Sequence, residues 1–104
     1  MDIRDVIQNQ IGSHPVVLYM KGSADFPQCG FSANAVRLLR SCGVDQIHTV
    51  DVLQDPAIRQ GIKEFSNWPT VPQLYVNGEF VGGSDIMTEM YQSGELAALL
   101  KPAH

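Results

Sequence analysis

Val16-Val17-Leu18-Tyr19-Met20 runs directly into Lys21-Gly22-Ser23-Ala24-Asp25-Phe26-Pro27-Gln28 and then into Cys29-Gly30-Phe31-Ser32. An unbroken apolar run bounded by turn formers reads as a strand buried on both faces. The segment from Lys21 to Gln28 carries Gly22, Ser23 and Pro27 and reads as a loop. From residue 30 to 41, Phe31, Ala35, Leu38 and Leu39 recur at helical spacing, and Gly43 is the stop. The stretch therefore reads as strand, loop and helix, with a cysteine where loop becomes helix.

Working outward, Ile3, Val6, Ile7, Gln10 and Ile11 predict a helix over residues 2–11, ended by Gly12 and followed by Pro15. On the other side, Ile47-His48-Thr49-Val50-Asp51 predicts a second strand. Asp55-Pro56 has the form of an N-cap followed by proline at the first helical position. Ala57, Ile58, Gly61, Ile62 and Phe65 continue that helix, and Pro69-Thr70-Val71-Pro72 ends any helical reading. Gln73 to Val76, then Asn77-Gly78, then Glu79 to Val81 predicts a hairpin, because Asn-Gly suits the tight turn between paired strands. After Gly82-Gly83, Ser84 or Asp85 is expected to cap a helix through Tyr91, and a short helix covers Glu95 to Lys101. Early alternation implies a parallel βαβ unit, and the hairpin adds antiparallel strands. The expectation is an α/β fold with a mixed four-stranded sheet flanked by helices.

Composition narrows the function. The chain has 104 residues, 44% of them hydrophobic, which fits one small globular domain. Its formal charge is −4, from 7 basic and 11 acidic residues, which argues against a nucleic-acid binder. No apolar run approaches the ~20 residues a membrane helix needs. The first residues lack a basic-then-apolar signal pattern, so the expected location is cytoplasmic, or organellar after processing if the source is eukaryotic. Cys29 and Cys42 are the only cysteines, which does not fit a secreted disulfide scaffold.

A thiol at a helix N-terminus faces unpaired backbone N–H groups and the positive end of the helix dipole. A free cysteine with a pKa of ~8.5 is roughly 3% thiolate at neutral pH, and helix ends and nearby cations raise that fraction. Lys21 is the nearby cation in sequence. Ser32 occupies the place where a dithiol redox motif has its second cysteine, and a hydroxyl cannot resolve a mixed disulfide. Cys42, beside Leu38 and Leu39, reads as an inert, semi-buried thiol. His14, His48 and His104 are scattered, none at ligand spacing from a cysteine, so zinc is a poor reading.

Lys21-Gly22-Ser23, Pro27 and Cys29-Gly30-Phe31-Ser32 resemble the monothiol, CGFS-type glutaredoxin signature. Trp68-Pro69-Thr70-Val71-Pro72-Gln73-Leu74-Tyr75 and Gly82-Gly83-Ser84-Asp85-Ile86 resemble two further blocks of that family, in the same order. The resemblance implies a thioredoxin-like fold and one glutaredoxin domain over residues 1–104. It also implies a glutathione groove beside Cys29. By analogy, Lys21 and Arg59 take the glycine carboxylate, and Val71, before a cis Pro72, pairs with the cysteinyl backbone by β-augmentation. The backbone N–H groups of Ser84 and Asp85 take the γ-glutamyl carboxylate, and the Asp85 carboxylate meets the ammonium. Trp68 and Phe31 are packing residues rather than ligands in this reading, and Phe31 would flank a bound cluster if its side chain turns outward. Ser84 stands where many members have cysteine, so no disulfide forms there.

A [2Fe-2S] cluster needs four sulfur ligands. Cys29 from each of two protomers plus the thiols of two glutathiones is the simplest closed set. The function so implied is iron–sulfur cluster transfer, assembly or iron homeostasis, with Cys29 as metal ligand in a bridged homodimer. BolA-type proteins and apo iron–sulfur recipients are the further partners implied. The alternative is a glutathione-dependent thiol-disulfide oxidoreductase in which Cys29 is the catalytic nucleophile.

Overall fold

The computed structural model describes residues 2–101. Its elements, in order, are α1 (Ile3–Ser13), β1 (Val16–Met20), α2 (Gly30–Ser41), β2 (His48–Asp51), α3 (Pro56–Ser66), β3 (Gln73–Val76), β4 (Glu79–Gly82), α4 (Ser84–Ser93) and α5 (Glu95–Leu99). The sheet runs β2-β1-β3-β4. β1 pairs with β2 in parallel, and β3 pairs antiparallel with both β1 and β4. This is the mixed four-stranded sheet read from the element order, in the thioredoxin-like arrangement that the resemblance implies.

β1 is buried at every residue because the sheet is covered on both faces. Side chains alternate across a strand, so β1 feeds two cores. Val16, Leu18 and Met20 join Ala35, Leu38 and Leu39 of α2, Met87 of α4 and Leu96 of α5. Val17 and Tyr19 join Ile7 and Ile11 of α1 and Ile58 and Ile62 of α3. The open end of this sandwich, where β1 gives way to α2, carries Cys29.

Several boundaries differ from the sequence expectation. α1 passes through Gly12 to Ser13, and His14 ends it in an extended conformation. Pro15 imposes that, since a residue before proline is pushed out of helical space. β2 begins at His48 rather than Ile47, and α5 ends at Leu99 rather than Lys101. Asp55 caps α3, accepting from the Ala57 and Ile58 N–H groups at 3.0 and 3.3 Å. The hairpin turn is as expected, with φ of 51° at Asn77 and 83° at Gly78. Phe31 is not on the buried face of α2. It is 63% exposed, and Ser32 takes the buried position. His14 and His48 are not scattered, because the join of α1 to β1 lies beside the start of β2. Their rings stack with centroids 3.8 Å apart. His104 lies outside the described residues.

Candidate functional site

The loop after β1 is closed on itself. The Gln28 N–H donates to the Lys21 carbonyl at 2.9 Å, and Gly22 bridges to Pro27. Gly22 has φ of 90°, and a Cβ there would collide with the backbone of Phe26 and Gln28. The loop is tied to its neighbours by two further bonds. The Gly22 N–H donates to Asp51 at 2.9 Å, and the Lys21 N–H donates to the Ser32 hydroxyl at 3.1 Å. The loop therefore presents Lys21 and Cys29 from a fixed frame.

Cys29 is the N-cap residue of α2, in extended conformation, and its side chain makes no regular capping hydrogen bond. Its thiol is half-buried. The Ser32 backbone N–H is the largest influence on it and holds its pKa below the ordinary cysteine value. Partial burial opposes this, and the Phe31 N–H, the Ser32 hydroxyl and the Lys21 charge add to the lowering. Lys21 contributes least, so the helix end rather than the lysine activates this thiol. Cys42 closes the other end of α2 against the core, and burial raises its pKa.

Beside Cys29 lies a groove of about 380 Å³, within the range of small-molecule sites. All six residues singled out from sequence line it: Lys21, Cys29, Arg59, Val71, Ser84 and Asp85. The Val71–Pro72 bond is cis. Phe31 and Trp68 also line the groove, so neither is a packing residue alone.

The cap of α4 differs from expectation. Neither Ser84 nor Asp85 caps it; Gly83 is the N-cap, and no side chain bonds the first N–H groups. The Ser84 hydroxyl is taken by Asn34, which donates to it at 2.9 Å. The opening N–H groups of α4 are thus left facing the groove. Lys63 was not anticipated, though it sits one turn beyond Arg59 on the same face of α3 and lines the groove with it. Gln73 was missed as well. Fully buried, it donates to the carbonyls of Trp68 and Thr70 at 3.2 and 3.0 Å and fixes that lip of the groove.

Lys21, Arg59 and Lys63 converge here and, among the described residues, form no ion pair with a carboxylate. The one ion pair among the described residues joins Arg40 to Asp25, away from the groove. A chain of net charge −4 thus gathers unneutralised cations and helix N–H groups around a thiol. Such a groove can hold an anionic peptide in extended form with a sulfur beside Cys29. Among the described residues, no group of three or more His, Cys, Asp and Glu converges to hold a metal ion, and no helix is long and apolar enough to cross a membrane.

Residues 16–81 match the family model described as Glutaredoxin. The chain is 56% identical over 104 residues to the Saccharomyces cerevisiae protein named monothiol glutaredoxin-5, mitochondrial, covering 98% of this chain and 69% of that one. It is 57% identical over 97 residues to a Synechocystis protein named uncharacterized monothiol glutaredoxin ycf64-like, covering 93% of this chain and 90% of that one. The solution structure of reduced poplar apo GrxS14 aligns with a TM-score of 0.82 at 47% identity, over 94% of this chain and 93% of that one.

Proposed function

Because this chain belongs to the glutaredoxin family, and within it to the monothiol glutaredoxins, we propose that it binds glutathione beside Cys29. We propose further that two protomers so loaded carry a [2Fe-2S] cluster between them. The family uses glutathione, and the observation that carries the reading here is the groove itself, whose cations have no carboxylate partner among the described residues.

Glutathione has an anionic group at each end, and the groove has a donor set at each end. Lys21 and Arg59, with Lys63 beside them, take the glycine carboxylate. The backbone of Val71 pairs with the cysteinyl unit as a short added strand. The N–H groups of Ser84 and Asp85 at the head of α4 take the γ-glutamyl carboxylate, and the Asp85 carboxylate takes the ammonium. Each charge-assisted hydrogen bond contributes ~1.5–3 kcal/mol, so a tripeptide held at both ends and the middle is retained. The bound thiol then lies beside Cys29.

The donor chemistry fits an iron–sulfur cargo. Cys29 is half-buried, its thiolate is favoured by the helix end, and one such sulfur per protomer leaves room for an exchangeable second. A [2Fe-2S] cluster takes four sulfur ligands, and two Cys29 side chains with two glutathione thiols supply them. Half of that set is exchangeable, which suits transfer to apo iron–sulfur proteins or BolA-type partners. The residues act as one glutaredoxin domain, in a cytoplasm or organelle that keeps thiols reduced. The test is anaerobic loading with iron, sulfide and glutathione. Wild-type protein should take up visible colour, and Cys29→Ser should stay colourless with unchanged circular dichroism. A coloured Cys29→Ser protein overturns the reading.

The lowered Cys29 pKa and its access to solvent favour a second reading, thiol exchange. The Cys29 thiolate attacks the glutathione sulfur of a mixed disulfide. A Cys29–glutathione disulfide forms, and the substrate thiolate leaves and takes up a proton. A second glutathione thiolate attacks the bound glutathione sulfur, releasing glutathione disulfide and regenerating Cys29. Ser32 cannot replace that second glutathione. A turnover rate with a glutathionylated substrate that matches a dithiol glutaredoxin would favour this reading over cluster carriage.

A further inference from the structure

At the head of α4 a hydrogen-bond chain from α2 ends on the site residue Ser84. Arg37 of α2 donates to the Asn34 side-chain oxygen at 2.7 Å. A guanidinium has only donors, so the Asn34 atom it meets is the oxygen, and the amide nitrogen must face the other way. That nitrogen points to α4 and donates to the Ser84 hydroxyl at 2.9 Å and to the Thr88 hydroxyl at 3.1 Å. Both amide hydrogens are thereby used. The Thr88 hydroxyl in turn donates a hydrogen bond to the Ser84 carbonyl at 2.9 Å.

The Ser84 hydroxyl is then the end of the chain. It accepts from Asn34, and among the described residues its own proton meets no acceptor. Ser84 is only 7% exposed. It lines the groove and also a shallow recess on the other side of Cys29, formed with Gly30, Phe31, Asn34 and Thr88. A hydroxyl that receives a hydrogen bond polarised by a cation becomes a better donor, since linked hydrogen bonds strengthen one another.

We propose that Asn34 is a positioning residue that, held by Arg37, turns the Ser84 hydroxyl outward as a donor to the ligand carboxylate at the head of α4. The inference rests on the glutathione reading above and adds a side-chain donor to the backbone N–H groups there. It also joins the head of α2, which carries Cys29, to the head of α4. The γ-glutamyl carboxylate and the thiol are therefore held to one frame.

The test is an amide-shift titration of the full chain with glutathione and with an analogue in which the γ-glutamyl α-carboxylate is replaced by hydrogen. Asn34→Ala should weaken glutathione binding roughly tenfold and leave the analogue unchanged. Asn34→Asp keeps the contact with Arg37 but draws the Ser84 proton inward, and should weaken glutathione binding more than Asn34→Ala does. Ser84→Ala should remove the effect of Asn34→Ala when the two are combined. Equal weakening of both ligands by Asn34→Ala, or no change in either, overturns the positioning role while the glutathione site stands. Wild-type protein that binds neither ligand overturns the glutathione site and this inference with it.

Discussion

At the scale of single residues, the two thiols at the ends of α2 are pushed in opposite directions, by different causes. Cys29 heads α2, where peptide N–H groups stabilise its thiolate, and Cys42 ends α2, where burial disfavours the charge. Alkylation followed against pH should give Cys29 a midpoint below the ordinary cysteine value and Cys42 one above it. Reaction of Cys42 first would contradict this. The linkage follows in sign. The Cys29 thiolate adds stability that is present above the ordinary cysteine pKa and is lost as pH falls through its folded value. Ser32→Ala removes the acceptor of the Lys21 N–H and a hydroxyl that favours the thiolate. It should cost about 1 kcal/mol in denaturant unfolding and move the Cys29 midpoint upward. That Cys29 mattered was legible in the sequence, from its place between loop and helix. The rank of its neighbours was not, because Lys21 carries a charge visible in the letters whereas the direction of the Ser32 peptide does not.

At the scale of elements, capping and turns carry the stability of what holds the groove. α3 brings Arg59 and Lys63 to the groove and is capped by Asp55. Asp55→Ala should lower stability by about 1 kcal/mol, read in thermal unfolding. The loop after β1 depends on the positive φ of Gly22. Gly22→Ala should destabilise by more than the Asp55 change, since a Cβ meets backbone that cannot yield. Equal stability of that variant and the wild type would contradict the loop's role as a rigid frame. The Asp55-Pro56 and Asn77-Gly78 signals were readable because each acts through its own neighbours in sequence. The head of α4 was misread for the opposite reason. Ser84 has the chemistry of a cap, but Asn34, from a different helix, claims its hydroxyl. Likewise α1 outran Gly12, because Pro15 dictates the conformation of His14 and glycine alone does not stop a helix.

At the scale of the whole molecule, β1 and β3 place tyrosines in the core on the α1 and α3 side. Tyr19 and Tyr75 meet edge to face, and burial raises both pKa values, that of Tyr75 to about 12. A raised acid pKa means the folded state keeps its proton longer than the unfolded chain. The Tyr75 contribution is therefore full below the ordinary tyrosine value of 10.0 and is lost as pH rises from there to about 12. Urea midpoints should fall across that window, and constant midpoints would contradict the buried state of Tyr75. The sheet was legible as a whole, since alternating elements and one hairpin leave few arrangements. The stacking of His14 on His48 and the arrival of Lys63 beside Arg59 and Lys21 were not, because each depends on how helices pack over that sheet.

The central claim concerns how Cys29 and glutathione share a cargo, and composition tests it most directly. Native mass spectrometry of anaerobically loaded protein should give a species of two chains, two glutathiones, two irons and two sulfides, absent when glutathione is left out. A loaded species that contains no glutathione, or a single chain holding the cluster alone, would contradict the account.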